Sequence, residues 1–314
     1  MSSSPSISQR AVVTGASGFI GSAVVRALLA QGWAVAALAR PDSHLARLGG
    51  DVDRVTVIRG RLAEPESYRA ALADFAPAVA IHCAWDGISG ATRDSIAQAT
   101  NYVDSLAFLD ACRQAGAGSW IGLGSQAEYG VPDRRLDEAQ PCAPTTLYGA
   151  VKLATGQTAG LAAAKAGMRF AWVRVFHVYG PGDSPTFMVP ALIEKLLAGE
   201  RPALTAGTQI WDLLHVDDAA AAIVHIAAHP DLEGVFNLGS GDPRTIRAIA
   251  EDVRDAVDPA LPLGFGEVAM APNGPTHLEA DIGRLRASGW SPAIPWTDGV
   301  AATVAWHRAR KEQS

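Results

Sequence analysis

Cysteine is scarce in this chain. Three occur in 314 residues (Cys83, Cys112 and Cys142), an odd number without metal-ligand spacing. That excludes a disulfide framework and a thiolate metal site, and it predicts reduced thiols in a cytosolic setting. Basic runs are missing as well. Lys and Arg number 26 against 32 Asp and Glu, for a net charge of −6, so nothing recommends a nucleic acid as partner. Long hydrophobic runs are also absent. The longest, Ala219–Ala228, contains His225 and is far too short to cross a bilayer. Met1 to Gln9 is Ser-rich, with no basic, apolar signal region, and is expected to be a loose tail. The expectation is a soluble cytoplasmic protein with no metal and no membrane partner.

Hydrophobic residues make up 48% of the chain, ample for a sizeable core. The length exceeds one typical domain and falls short of two large ones, which predicts a main domain with a smaller appendage. β-Branched runs predict strands over 10–14, 33–39, 54–59, 78–84, 120–124 and 169–178. Helical periodicity falls between them, over 18–31, 64–75, 93–115 and 146–166. Strands that are apolar throughout and alternate with helices imply an α/β fold, a doubly wound parallel sheet covered on both faces. After residue 179 the elements shorten and Pro and Gly punctuate the chain. A helix over 216–228 and a strand over 235–238 are expected to fold back onto the main domain. The expected division is therefore 10–178 plus about 210–240 for the main domain. A small lobe of about 179–209 and 241–310 is expected over the carboxyl ends of the strands, where ligands bind in such sheets.

Thr14-Gly15-Ala16-Ser17-Gly18-Phe19-Ile20-Gly21 follows a strand and opens a helix. Glycines there permit a tight turn and close approach of the backbone to a pyrophosphate, whose charge meets the helix N-terminus. The second strand ends in Arg40, where an acidic residue would accept hydrogen bonds from NAD ribose hydroxyls. Arginine suits the 2′-phosphate of NADP instead. NADP is thus the expected cofactor, with NAD the alternative.

Tyr148 and Lys152 are four residues apart and share one helical face. A nearby ammonium favours the phenolate and should lower the tyrosine pKa toward the working range, so the pair can move a proton to or from a carbinol oxygen. Either residue alone could be an ordinary surface position. Together with the glycine motif and Ser125 they point to redox chemistry.

The ordered motifs are His82-Cys83-Ala84, Gly124-Ser125, Tyr129-Gly130, Tyr148-Gly-Ala-Val-Lys152, Arg174-Val-Phe-His177-Val-Tyr179-Gly180-Pro181 and His215-Val-Asp217-Asp218. On these, the chain resembles the extended short-chain dehydrogenases/reductases, with their nucleotide-sugar epimerases, dehydratases and ketoreductases. The resemblance implies a Rossmann domain with Tyr148 as proton donor. It implies that Lys152 holds the nicotinamide ribose and that Ser125 bonds the reacting oxygen. Gly15, Ser17, Gly18, Phe19, Ile20, Gly21, Arg40, Leu62, Cys83, Ala84, Lys152 and Val175 would line the dinucleotide. Trp85, Gln126, His177 and Trp211 would meet substrate, and a homodimer through the Tyr148 helix and its predecessor is implied.

Departures from the family narrow the chemistry. Dehydratases place Asp and Glu directly after the serine or threonine; here Gln126 and Ala127 stand there, and neither performs acid–base elimination. Glu128 lies one residue further on. Trp211 stands where many relatives carry arginine, and no arginine occurs between Val268 and Ile282 to grip a diphosphate. The expected activity is NADPH-dependent reduction of a nucleotide-linked 4-keto-6-deoxyhexose. A nucleotide-sugar 4-epimerase, or a reductase or dehydrogenase of a non-nucleotide carbonyl, is the alternative.

Overall fold

The computed structural model describes residues 9–270 and 274–312; the expected loose tail, apart from Gln9, lies outside the described residues. In chain order the elements begin with β1 (Arg10–Thr14), α1 (Phe19–Ala30), β2 (Ala34–Ala39), β3 (Thr56–Arg59), α2 (Arg69–Phe75), β4 (Val79–His82), α3 (Gln98–Gln114) and β5 (Ser119–Ser125). Then come β6 (Arg134–Leu136), α4 (Leu147–Lys165), β7 (Arg169–Val175), β8 (His177–Tyr179) and α5 (Met188–Leu197). The last third holds β9 (Ala203–Leu204), β10 (Ile210–Trp211), β11 (Leu213–His215), α6 (Val216–Ala228), β12 (Gly234–Leu238), β13 (Arg244–Thr245) and α7 (Ile246–Val257). It ends with β14 (Gly264–Phe265), β15 (His277–Ala280), α8 (Gly283–Ala287) and α9 (Trp296–Glu312).

Seven strands form one sheet in the order β12-β7-β5-β4-β1-β2-β3. The pairs from β7 through β3 are all parallel. Strands β1, β4 and β5 are buried almost throughout, which is why their apolar runs are continuous rather than alternating. This is a doubly wound α/β fold of the Rossmann type. One of its cores centres on the stacked rings of Trp120, Phe170 and Trp172, with centroids 5.8–6.4 Å apart and planes within 8°. The stack needs glycine beneath it: a Cβ on Gly122 would lie 2.4 Å from Trp120 and 2.5 Å from Trp172.

Three expected elements are broken in the structure. The strand expected over 169–178 is two strands: Phe176 donates its N–H to Leu238 O at 2.9 Å, and β8 leaves to pair with β11. The helix expected over 64–75 begins as a single turn at Pro65–Ser67 and restarts at Arg69, because Tyr68 sits outside helical geometry (φ −133°, ψ −9°). The helix expected over 93–115 starts only at Gln98, since Ser95 is extended and separates it from a turn over Gly90–Asp94.

Contacts divide the chain into two compact units: residues up to 130, 141–175 and 220–236 in the first, and 131–140, 176–219 and 237 onward in the second. The expected division differs at four places, 131–140, 176–178, 210–219 and 237–240, all of which fall in the second unit. Residues 131–140 join the second unit because β6 pairs with β15, and 210–219 join it because β10 pairs with β13 and β15 while β11 pairs with β8. Within the second unit, Ile246, Ile249, Ala250 and Val253 form the apolar stripe of α7 and pack with residues of α5 and α9. Its polar hub is the fully buried Asp212. That carboxylate accepts from Ser240 N (2.6 Å), Ser240 Oγ (2.7 Å), Gly241 N (3.0 Å) and Ala280 N (3.1 Å).

In the first unit, β1 and β4 are tied at their carboxyl ends by His82. Ser105 Oγ donates to Asn101 O at 2.6 Å, so the His82 Nε2–H must donate to Ser105 Oγ (2.9 Å). Thr14 Oγ1 then donates to Nδ1 (2.8 Å) while accepting from Ala84 N (3.2 Å). The network fits a neutral ring only. Burial, aided by the charge of Lys152, lowers the His82 pKa to about 3. The unfolded chain, with an ordinary histidine near 6.5, binds more protons between those two values, so stability falls as pH drops from about 6.5 toward about 3. We expect melting temperatures taken from pH 7 to pH 4 to fall more steeply for wild type than for His82→Asn; equal slopes would refute the assignment.

Candidate active site

The first turn of the site follows from steric necessity. Gly15 has φ +69°, and a Cβ there would lie 2.8 Å from Ala84 N and 2.9 Å from the Cys83 carbonyl carbon. Gly18 N donates to Gly15 O at 2.8 Å, and a Cβ on Gly21 would come within 2.1 Å of that same oxygen. The turn and α1 therefore approach closely only with glycine at these places. Gly18 caps α1 without a side-chain bond, and the first helical turn holds no acidic residue. Ser17, Phe19 and Ile20 are half-buried there, and Leu62, Cys83, Ala84 and Val175 are half-buried elsewhere in the unit. This glycine cradle at an uncapped helix start fits the pyrophosphate of a dinucleotide. Arg40 is 60% exposed, 4.0 Å from Asp86, and Arg61 lies 3.6 Å from Asp42. Exposed pairs of this kind contribute ~0–1 kcal/mol, so both guanidiniums exchange partners readily.

Ser125 ends β5 and Tyr148 lies in the first turn of α4. The Thr146 hydroxyl accepts from Gly149 N at 3.1 Å and fixes the start of that helix. Gly149 lets it dock: a Cβ there would sit 2.4 Å from Ala127 O. The two hydroxyls consequently meet in a hydrogen bond. Lys152, one turn on, is buried; its Nζ donates to Leu123 O at 2.6 Å and lies 3.7 Å from the centre of the Trp85 ring. Burial lowers its pKa to about 7, against the raising influence of Glu128 and Cys83.

Several groups set the electrostatics of this trio. The Tyr148 pKa is raised, first by burial and further by Glu128; the groups that lower it are Ser125, by hydrogen bonding, and Arg93, by charge. Lys152 sits 5.9 Å from the ring centre with its ammonium turned to the Leu123 carbonyl and to Trp85.

Beneath Ser125 lies a fully buried carboxylate, Glu128. Its Oε1 accepts from Ser125 N (2.8 Å) and Trp172 Nε1 (2.9 Å), and its Oε2 pairs with Arg174 Nε at 2.8 Å. Gly124 makes the space, since a Cβ there would fall 2.5 Å from Glu128 Oε1. Burial alone would lower the Arg174 pKa, but Glu128 and Tyr129 more than offset it and hold the guanidinium charged. Tyr129 is buried, with the Arg174 guanidinium 4.5 Å from the centre of its ring.

Of the residues expected to meet substrate, Trp85 joins the trio, edge-on to Tyr148 at 6.2 Å with Nε1 donating to Gln98 Oε1 at 2.8 Å. Gln126 is half-exposed directly after Ser125. His177 and Trp211 belong to the second unit, where their rings stack 4.4 Å apart within 7° of parallel.

The sequence profile of the NAD dependent epimerase/dehydratase family matches residues 11–239. The chain belongs to that family. It is 27% identical to a UDP-glucose 4-epimerase from Azospirillum brasilense, over 99% of this chain and 96% of the relative. It is also 27% identical to a dTDP-glucose 4,6-dehydratase from Streptomyces griseus, over 96% and 94%. The solved UDP-glucose 4-epimerase of Thermus thermophilus, in complex with NAD, superposes with a TM-score of 0.83 at 26% identity, covering 95% of this chain and 99% of that one. Membership makes this protein an NAD(P)-dependent enzyme of the extended short-chain dehydrogenase/reductase type.

Within this family frame, sequence reasoning missed Glu128, Trp172, Arg174 and Arg93 as parts of the site. Glu128 lies one residue too far on for elimination, so the local pattern gives it no role. The alternation Gly122, Gly124 along β5, facing bulky Trp172 on β7, was the available signal that a large group fills the space below the serine. We expect Glu128→Ala to destabilise the fold by about 3–5 kcal/mol, because it strands the buried Arg174 charge. Glu128→Gln, which keeps an acceptor, should cost less. Denaturant unfolding of both variants measures this, and equal losses would disprove the ion-pair account.

Proposed function

We propose that this enzyme reduces a nucleotide-linked 4-keto-6-deoxyhexose to the 4-hydroxy sugar with NADPH. The observation that carries this reading is the pairing of a proton-transfer dyad with an absence of elimination acids. Ser125 and Tyr148 are hydrogen-bonded in a buried site, while Gln126 and Ala127 follow the serine and Glu128 is committed to Arg174, Trp172 and the Ser125 amide. A dehydratase role finds no acid to use; a carbonyl reduction needs none beyond Tyr148.

A reduced nicotinamide, when bound, supplies hydride to the carbonyl carbon. Residues 15–21 would hold the pyrophosphate, with Arg40 and Arg61 at the ends of β2 and β3 receiving a 2′-phosphate. Tyr148 donates the proton to the nascent alkoxide and Ser125 orients that oxygen. Lys152, whose Nζ lies 3.7 Å from the centre of the Trp85 ring, would hold the nicotinamide ribose. The His177–Trp211 stack offers a flat surface for a base or sugar ring. UDP-glucose and dTDP-glucose in the names of relatives supply the substrate class.

The second reading is a 4-epimerase. It is favoured by the Azospirillum brasilense relative and by the reversibility of the dyad, which can take a proton as well as give one. The homodimer expected from the family resemblance is supported by the face of α3 and α4, where Val103 is 62% and Leu161 67% exposed. Free Cys83, Cys112 and Cys142 suit a reducing cytoplasm.

We expect NADPH consumption with one member of a panel of dTDP-, CDP-, GDP- and UDP-linked 4-keto-6-deoxysugars, falling about 10²–10⁴-fold in Tyr148→Phe. Arg40→Asp should shift the preference from NADPH toward NADH by about tenfold, the worth of one charge-assisted hydrogen bond. Interconversion of two nucleotide sugars without added cofactor, and no consumption with the panel, would replace the reductase with the epimerase. Sedimentation of Leu161→Glu should show monomer where wild type shows dimer; an unchanged boundary would place any dimer contact elsewhere.

A further inference from the structure

We infer that Arg93 is a substrate-binding residue, whose guanidinium takes the diphosphate of the nucleotide sugar in place of the arginines this chain lacks. The inference deepens the proposed function and rests on the nucleotide-linked substrate named there.

The Arg93 guanidinium lies 4.4 Å from the centre of the Tyr148 ring. Among the described residues it faces no carboxylate, and its one hydrogen bond there runs from Nη1 to Ile88 O at 3.3 Å. The acids of its own segment and of the dyad's surroundings are engaged elsewhere. Asp94 Oδ1 accepts from Leu147 N at 3.0 Å, Asp86 lies 4.0 Å from Arg40, and Glu128 holds Arg174. Arginine carries a fork of N–H donors, and on this half-buried side chain most of that fork is left without a protein partner.

The strap that carries Arg93, residues 85–97, is fastened at both ends. Next to the arginine, the Asp94 carboxylate binds the start of α4, the helix that presents Tyr148. At the other side, Gln98 Nε2 donates to Gly87 O (2.7 Å) and Thr92 O (3.0 Å), while its Oε1 receives the Trp85 indole. A cation held in one place needs little reorganisation when a charged ligand arrives.

A guanidinium over an aromatic ring keeps its N–H edge for paired hydrogen bonds to a carboxylate or a phosphate. The position of Arg93 limits which anion that is. It lies against the proton donor, so its ligand belongs to the reacting molecule or to the dinucleotide. The dinucleotide's phosphates already have the glycine turn at 15–21, with Arg40 and Arg61 for a 2′-phosphate. A 6-deoxyhexose is neutral, which leaves the substrate diphosphate. That group lacks its usual partners here, because Trp211 stands in place of one arginine and none occurs between Val268 and Ile282. Lys152, 5.9 Å from the same ring centre, is buried and stays with the phenol and the ribose; Arg93 is the cation a substrate anion reaches.

The test is equilibrium binding of nucleosides and their diphosphates (uridine and UDP, thymidine and dTDP, cytidine and CDP, guanosine and GDP) to the enzyme saturated with NADP. Arg93→Met should weaken the diphosphate that binds wild type by about tenfold or more and its nucleoside by no more than about twofold, and Arg93→Lys should restore part of the loss. Diphosphate affinity should also fall less steeply with added salt in Arg93→Met than in wild type, and NADPH affinity should be unchanged. Equal losses for nucleoside and diphosphate, no loss, or no diphosphate binding to wild type overturns the inference. An equal loss of NADPH affinity does so too, because the anion is then the cofactor's. If Arg93→Met does not fold, Arg93→Gln supplies the neutral side chain and is read in the same way. If no 4-keto sugar of the panel consumes NADPH the proposed reduction falls, while the diphosphate loss still decides the role of Arg93; unweakened diphosphate binding in Arg93→Met of an active reductase removes this inference alone.

Discussion

The buried carboxylate of Glu128 is the constraint on which the site depends. It has no access to water, and it receives hydrogen bonds from a backbone amide on β5 and from an indole and a guanidinium on β7. Taking such a group out of water is expensive, and only near-complete hydrogen bonding offsets it. The consequence is geometric. Ser125 N is one of the three donors, so the strand end cannot shift without breaking the compensation. The serine hydroxyl inherits that rigidity, and Tyr148 meets it because Gly149 lets α4 close on Ala127 O. The placement of the Ser125 hydroxyl here follows from the demands of a buried charge.

Electrostatics in the site divide by depth in the same way. His82 is sealed in as a neutral ring, joining β1 to β4 just below the glycine turn. Lys152 is driven toward neutrality by burial and is spread over an indole. Arg93, half-buried on its strap, and Arg40, exposed at the end of β2, keep a guanidinium charge available to something other than a buried carboxylate. Neutral forms are thus kept where packing seals a group away from water.

The sequence made much of this legible. Continuous apolar strands between helical segments gave the parallel sheet, and the glycine spacing gave a turn whose necessity the contacts at Gly15 and Gly21 bear out. Tyr148 and Lys152 fell on one helix face as their spacing required. Element boundaries were less legible where a single residue decides them: Tyr68, Ser95 and Phe176 each break an element that periodicity would have continued. Glu128 and Arg93 escaped because their roles come from partners 46 and 55 residues away in the chain, Arg174 and Tyr148, and local pattern carries no record of such pairings.

What the sequence determined by itself is therefore the fold class, the glycine turn and the placing of Tyr148 and Lys152 on one helix, since each follows from short-range spacing and from the period of apolar residues. What the tertiary structure decided is which charges face which groups. Spacing placed Lys152 beside Tyr148; packing decided that its ammonium also reaches Leu123 O and Trp85 and that Arg93 lies over the Tyr148 ring, 4.4 Å from its centre. The physical reason is that a buried charge is governed by desolvation and by every donor and acceptor within reach, and those are brought together only when distant segments fold against one another.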